Sequence, residues 1–453
     1  MSGLRMIVVL IVGISGAVCI AAGGEDLTQE NEELRSRVER LEKEVAQLKK
    51  LMMQQAKEQS AEAETLRKLK DEREKPVVPR LSAEDLQKIL AMVEKKAEKK
   101  KAVWSNLDIE LYGYIKADAA FDSGQATAGN YMLWVDEDST GDSEFNLTAN
   151  QTRIGFRIKG PEDEGLQTSG LIEMDFYGGG AENKARMRMR HAYLKLDWPE
   201  ERFNVIAGQT WDVFSPLYPG TLNFTILWDT GNIGYRHPQI RLTKGFTVND
   251  KIDVELAGAI SRTIGDNDLV DESGEDSGHP TFQGRVGVTF PLLEYKPTTV
   301  GFSGHWGKEE YSSKDVTSWS VNTDLTQPVN KWLSIKAEAF VGENLDNYFG
   351  GIGQGVNADM DYREIGSKGG WLAANIRPWK KWQFNLGAGV DNVEDDDIGV
   401  GDRKLNRSVF GNVIYSINEN TQVGFELSHW RTEYKGAGDA EDVRAQTSFI
   451  YKF

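Results

Sequence analysis

The chain has 453 residues, of which 53 are Lys or Arg and 70 are Asp or Glu, so its formal net charge is −17. A nucleic-acid-binding protein needs a basic surface to neutralise phosphates, and this charge balance argues against nucleic acid as a partner. The single cysteine, Cys19, excludes both a disulfide scaffold and a cysteine-based zinc site.

The N-terminus has the pattern of a secretory signal peptide, which we place at residues 1–23. Arg5 precedes an apolar run from Met6 to Ile20, and small residues follow at positions 21–24. A basic start, a short apolar stretch and a small-residue end are typical of a cleaved signal. A membrane anchor helix is the alternative, but the apolar run is at the short limit for spanning a bilayer.

Residues 24–75 predict a coiled coil. Leucine recurs every seven residues, at Leu27, Leu34, Leu41 and Leu48, and valine takes the other seam position at Val38 and Val45. Such a stripe persists only where a partner helix buries it, so it predicts oligomerisation without deciding between two and three strands. Pro76 and Pro79 end this helix, and residues 76–103 are predicted to be a linker with one short helix.

From residue 104 onward, apolar and polar residues alternate with a period of two. In the last eleven residues Val443, Phe449 and Tyr451 alternate with Arg444 and Lys452, which is typical of a strand with one apolar and one wet face. Sixteen segments follow this rule: 107–121, 150–160, 166–177, 186–198, 202–211, 232–244, 251–262, 281–290, 298–307, 316–327, 332–342, 366–377, 381–391, 406–416, 420–431 and 443–453. Their lengths and even number are typical of a bacterial transmembrane barrel.

The connections between these segments alternate between short turns and long loops. Short turns at one rim and long loops at the other are the pattern of outer-membrane barrels. Two of the long loops, 122–149 and 263–280, carry six acids each and no base. We therefore predict an all-β transmembrane barrel of about 16 antiparallel strands over residues 104–453, preceded by the N-terminal α-helical coiled coil. The barrel is expected in the outer membrane and the coiled coil in the periplasm.

Local motifs and the overall plan resemble a known family. The terminal Phe453 is similar to the C-terminal signature of bacterial outer-membrane barrels. The other matching patches are Asn150–Phe156, Arg190–Tyr193, Gly208–Trp211 and His237–Arg241. Together with the coiled coil and the sixteen segments, they resemble the DcaP-like trimeric porins. The resemblance implies a trimer and a channel that favours small anionic, carboxylate-bearing solutes.

The candidate pore-lining residues are charged residues on the predicted wet faces of the strands. They are Arg153, Arg157, Arg186, Arg188, Arg190, Arg236, Arg241, Glu173 and Asp175. Arg186, Arg188 and Arg190 alternate with Met187, Met189 and His191, which are expected on the other face. A bulge at Pro238 is expected to keep both Arg236 and Arg241 inward.

Glu173 and Asp175 are expected to form the opposite wall, so that a transverse field crosses the pore. The alternative is that the arginines pair with neighbouring acids in a wet interior. The stretch Trp211–Gly231 is rich in aromatic residues and prolines, so we expect this loop to fold inward and narrow the pore.

The predicted function is a water-filled porin with an arginine-lined constriction. No His-Glu-x-x-His, Gly-x-Ser-x-Gly or Walker motif occurs, so we predict no enzyme, no cofactor and no metal site. Two alternatives stay open. One is a structural tether whose coiled coil links the outer membrane to the periplasm or to peptidoglycan. The other is a soluble secreted lectin or adhesin.

Overall fold

The computed structural model describes residues 108–127, 129–137, 143–179, 185–263, 277–311 and 314–453. The predicted signal peptide, coiled coil and linker lie outside the described residues. Across the part of the chain that is described, no helix combines the length and the apolar composition needed to cross a bilayer.

Sixteen antiparallel strands form one closed barrel. They are β1 Asp108–Asp122, β2 in two segments (Glu144–Thr148 and Arg153–Asp163), β3 Leu166–Asp175, β4 Arg188–Trp198, β5 Phe203–Trp211, β6 Arg236–Asn249, β7 Ile252–Ser261, β8 Thr281–Phe290, β9 Thr298–Tyr311, β10 Lys314–Pro328, β11 Leu333–Glu343, β12 Gly366–Trp379, β13 Trp382–Val393, β14 Arg403–Ser416, β15 Thr421–Tyr434 and β16 Asp439–Lys452. Each strand pairs with its neighbours in sequence, and β1 also pairs with β16, where Ile115 lies opposite Tyr451. The predicted barrel of sixteen strands is confirmed, and every predicted segment overlaps a strand.

Burial along the strands is the reverse of that in a soluble protein. In β1 the side chains of Lys116 and Asp118 are buried, whereas Ile115 is 54% exposed. In β16 Arg444 is buried and Phe449 is exposed. Polar side chains therefore fill the inside of the barrel and apolar side chains cover its outside, which is the arrangement of a barrel whose outer face contacts lipid.

The two rims of the barrel differ as the loop lengths predict. Glu164 and Gly165 alone join β2 to β3, and both have positive φ (46° and 81°), as a two-residue hairpin turn requires. At the opposite rim, residues 212–235 join β5 to β6 and residues 344–365 join β11 to β12. These two long loops bring their side chains to the interior.

Candidate pore constriction

The loop between β5 and β6, residues 212–235, lies inside the barrel; we call it the constriction loop. Three of its backbone N–H groups donate to side chains on distant strands: Val213 to Gln283 Oε1 on β8 (2.8 Å), Leu217 to Glu338 Oε1 on β11 (2.8 Å) and Leu222 to Glu426 Oε2 on β15 (2.6 Å). A loop held by three separated strands crosses the interior. Its inward fold agrees with the prediction from its composition.

Apolar packing holds the constriction loop against one side of the wall. Leu227 joins a buried cluster with Trp371, Phe410 and Trp430, which are inward-facing side chains of β12, β14 and β15. Burying large apolar side chains stabilises the loop by about 1.5–3 kcal/mol for each residue that is fully removed from water. The cluster lies beside β12, β14 and β15, and we call the part of the interior beside β3 and β4, where charged side chains are buried, the polar side.

A glycine allows the loop to approach the wall closely. Gly231 has a φ of +101°, and a Cβ built on it lies 2.1 Å from the backbone oxygen of Gly370 on β12. Both the backbone conformation and the contact exclude a larger side chain at this position.

The constriction loop also contacts the loop between β11 and β12. Asp229 Oδ1 accepts a hydrogen bond from the N–H of Gly353 (2.8 Å), and Asp391 Oδ2 on β13 accepts one from Gly351 (3.0 Å). Burial raises the pKa of Asp229 to about 7, and the nearby Asp346 acts in the same direction. The glycine-rich stretch 350–355 therefore supplies backbone donors to buried carboxylates.

On the polar side, two arginines of β4 contact two acids of β3. Arg188 binds Asp175 with two hydrogen bonds, from Nε (3.0 Å) and Nη2 (2.8 Å). Arg190 bridges both acids, since its Nε donates to Glu173 (2.8 Å) and its Nη1 to Asp175 (2.8 Å). The fork geometry of guanidinium suits such paired contacts.

This local pairing corrects the prediction that Glu173 and Asp175 form the opposite wall. The two acids lie on β3, which is hydrogen-bonded directly to β4, so they contact the arginines instead of facing them across the interior. Tyr112 adds a hydrogen bond from its hydroxyl to Glu173 Oε2 (2.9 Å). A transverse field between these two groups is therefore excluded.

A bulge on β4 changes the side on which His191 lies. The ladder between β3 and β4 shifts register between Glu173 and Met174, and both Arg190 and His191 are buried. His191 Nδ1 lies 3.1 Å from the hydroxyl of Thr210. The expectation that His191 shares a face with Met187 and Met189 is therefore wrong, because the bulge breaks the alternation after Met189.

Arg236 is buried among aromatic rings. Its guanidinium carbon lies 4.4 Å from the ring centres of both Trp211 and Tyr235, and 5.7 Å from that of Trp228. Its three side-chain nitrogens meet no acceptor with good hydrogen-bond geometry among the described residues, although the hydroxyl of Tyr235 interacts favourably with the charge. The predicted bulge at Pro238 is absent, since the ladder with β5 runs without a shift and Pro238 is exposed on the outer face.

The remaining predicted arginines take different positions. Arg153 lies 3.4 Å from Glu173 and its side chain is 23% exposed. Arg157 stacks on Tyr112 at 3.7 Å and is more exposed. Arg241 is partly buried, and its Nη1 donates a long hydrogen bond to the backbone of Trp211 (3.4 Å). Arg186 precedes β4 and is exposed, so it lies apart from this cluster.

Charged residues that were not among the predicted pore-lining set lie on the opposite side of the interior. Arg285 on β8 binds Asp324 on β10 with two hydrogen bonds (2.7 and 2.9 Å). Lys336 on β11 lies 5.5 Å from the ring centre of Tyr218, an exposed residue of the constriction loop. The alternation in segment 281–290 places Arg285 inward, so the signal was present; nothing in the sequence indicates the contact between Lys336 and Tyr218.

Within the described ranges, no group of three or more His, Cys, Asp or Glu side chains is placed to hold a metal ion. The candidate site therefore consists of fixed charges and aromatic rings inside a barrel.

Comparison with known proteins agrees with this architecture. The model of the DcaP outer membrane protein family matches residues 50–268. The outer membrane channel DcaP of Acinetobacter baumannii is 17% identical, with a TM-score of 0.63 over 77% of this chain and 98% of that chain. An anion-selective porin from Comamonas acidovorans is 12% identical, with a TM-score of 0.53 over 77% of this chain and 100% of that one. A comparison with curated proteins finds no match.

These likenesses give the fold of an outer-membrane channel, and the matched segment covers the first strands together with the constriction loop. Residues 50–268 match the DcaP outer membrane protein family, and the fold of the described barrel is that of an outer-membrane channel.

Proposed function

We propose that this barrel is a porin, a water-filled channel of the outer membrane that admits small polar, anionic solutes bearing carboxylates. The observation that carries the proposal is the excess of guanidinium groups at the polar side of the constriction loop. Among the described residues, Glu173 and Asp175 are the only acids paired with Arg153, Arg188 and Arg190, so three guanidinium groups face two carboxylates and the cluster keeps a net positive charge. Arginine stays protonated at any working pH, so this charge is permanent.

Arg236 adds to the same excess. Its charge interacts with those of Arg188 and Arg190, and aromatic faces instead of an acid surround it. Arg153 and Arg188 are each 23% exposed, so a passing carboxylate can reach them. A partly desolvated guanidinium attracts an anion more strongly than one in bulk water, since the effective dielectric constant is lower.

The proposed assembly is a trimer with its coiled coil in the periplasm. The heptad pattern over residues 24–75 supports oligomerisation, and a trimer is what the DcaP-like porins suggest for this family. Outer-membrane lipid then contacts the apolar outer face, and peptidoglycan is a candidate partner of the coiled coil.

Liposome swelling tests the solute class. Vesicles containing the protein should swell faster in a small dicarboxylate than in a dication of similar size, because the arginine cluster attracts the anion. The variant Arg153→Gln/Arg188→Gln should lose that difference and keep its permeability to a neutral sugar. Equal rates for anion and cation through the unaltered chain would contradict the proposal, and no swelling at all would favour the structural tether.

A further inference from the structure

The outer face of the barrel carries a cavity of about 900 Å³ across strands β12 to β15. We call it the outer groove. Its floor includes Gly370 and Ala388, two positions where the wall has almost no side chain. Leu372, Val390 and Val409 border this floor, and each is at least 39% exposed. The outer groove is therefore apolar, shallow and open towards the lipid.

The outward-pointing side chains of the outer groove that carry nitrogen donors are Arg407, His429 and Arg431, and no acidic side chain points outward among the lining residues. They are cross-strand neighbours, since Arg407 pairs with Arg431 and Val409 pairs with His429. Glu338 also borders the cavity, but its carboxylate points inward, where it accepts hydrogen bonds from Leu217 and Trp371.

The basic residues are unequally neutralised. Arg431 is paired with Asp439 and Glu441, which lie outside the lining of the outer groove. Arg407 is half-exposed and approaches only Glu433, at 3.7 Å, which is too long for a hydrogen bond. Among the described residues, the guanidinium of Arg407 therefore has donors to spare for an anion.

The position of Arg407, His429 and Arg431, which we call the basic rim, relative to the bilayer follows from the strand geometry. Val423 pairs with Tyr415, which contacts Trp382 in the aromatic girdle near the short turns. Arg431 lies eight residues further along β15. A strand that rises about 3.3 Å per residue and tilts by about 40° climbs roughly 20 Å over that length, close to the ~25 Å height of the apolar band. The rim therefore lies at the outer edge of the hydrocarbon, at the level of lipid headgroups.

We propose that the outer groove binds a phosphorylated lipid of the outer leaflet. An acyl chain lies on the floor formed by Gly370 and Ala388, and the phosphate accepts hydrogen bonds from the guanidinium of Arg407 and from a ring N–H of His429. Arginine suits the oxygens of a phosphate, and a charged side chain on the lipid face is unfavourable without such a partner. The apolar floor suits the acyl chain of an amphiphile, and the basic residues at its edge suit an anionic headgroup.

Native mass spectrometry of the full chain in mild detergent tests the proposal, because it counts bound lipids and protomers together. The probes are a phosphorylated glycolipid extracted from Gram-negative outer membranes and a diacylglycerol of matched chain length, which has no phosphate. The variants are Ala388→Leu, which fills the floor, and Arg407→Gln, which removes the charge. The matched controls are Ala117→Leu, at an exposed position of β1, and Arg202→Gln, at a short turn.

We expect the unaltered chain and both controls to retain the phosphorylated lipid, with about fivefold less retained by each groove variant, a change of ~1 kcal/mol in binding. The diacylglycerol should bind more weakly and should not respond to Arg407→Gln. Equal retention in all variants would overturn the proposal. So would an Ala388→Leu variant that keeps its lipid but loses protomers, since the outer groove would then be an interface between copies.

Discussion

The side chain of Arg236 has aromatic rings as neighbours where a buried cation ordinarily has an acid. Arg190 lies on β4, which is separated from Arg236 on β6 by strand β5, and it contacts both Glu173 and Asp175. The two arginines were predicted from the same kind of pattern, a charged residue on a wet face. The sequence could not separate them, because the partner of each depends on which strands meet and on the bulge in β4.

Replacing these two arginines with methionine should change stability in opposite directions. Arg236→Met removes a buried charge that has aromatic rings but no acid beside it, so we expect the free energy of unfolding to rise by about 1–3 kcal/mol. Arg190→Met leaves two acids with fewer partners and should lower it by about 3 kcal/mol. Urea unfolding of the folded protein in detergent measures both. A destabilised Arg236→Met variant would contradict this expectation, because it would mean that the contacts with Trp211 and Tyr235 outweigh the cost of burying the charge.

The contact of Asp229 with Gly353 should depend on pH. Because burial raises the pKa of Asp229 to about 7, the folded state binds its proton more tightly than the unfolded state. The contribution of Asp229 to the stability of the folded loop therefore falls as pH rises from about 4 through about 7, and the hydrogen bond from Gly353, which favours the carboxylate, offsets only part of that loss. We expect more current noise from loop movement at pH 8 than at pH 5, recorded in planar bilayers. Asp229→Asn, which keeps an acceptor oxygen for Gly353 but cannot ionise, should remove the difference between the two pH values. If the difference persisted in this variant, the pH dependence of the noise would come from another group.

At the scale of elements, the strands were predictable because a barrel wall imposes one rule on every residue. The alternation predicts even Ile115 outward and Lys116 inward. The inward position of the constriction loop was predictable from its aromatic residues, because exposing such apolar side chains to bulk water is unfavourable. Its contacts were not, since the hydrogen bonds of Val213, Leu217 and Leu222 join residues far apart in sequence.

Deletion of residues 214–226 should raise the single-channel conductance several-fold, because this segment fills the interior. Deletion of residues 264–276, an acidic segment of equal length after β7, is the matched control and should leave the conductance near that of the unaltered chain. Planar bilayer recording compares them, with heat-modifiable migration as the check that each variant folds. An unchanged conductance after the first deletion would mean that the loop does not limit the passage.

For the whole molecule, the charge pattern combines acidic long loops with a cationic cluster inside the barrel. The distribution of acids was evident from the sequence, whereas the net charge of the cluster emerged only when Glu173 and Asp175 were found beside Arg188 and Arg190. A local excess of guanidinium groups, not opposed walls, is therefore the basis of the proposed selectivity.

Removing residues 24–75 tests the proposed assembly at this scale. If the heptad leucines stabilise the trimer, the shortened chain should dissociate at a lower detergent concentration or temperature than the full chain, as followed by light scattering. Replacing Leu34 and Leu41 with alanine should have the same direction of effect, because each is a seam position. If the full chain, the shortened chain and the alanine variant all dissociated under the same conditions, the coiled coil would not contribute to the stability of the trimer.

The reversal potential in a salt gradient tests the central claim most directly. We predict that the unaltered chain passes anions in preference to cations, and that Arg153→Gln/Arg188→Gln shifts the reversal potential towards cations. Lys308→Gln/Lys368→Gln, which removes two positive charges from solvent-accessible ion pairs, should leave it unchanged. Cation preference in the unaltered chain, or anion preference that survives the arginine changes, would contradict the account.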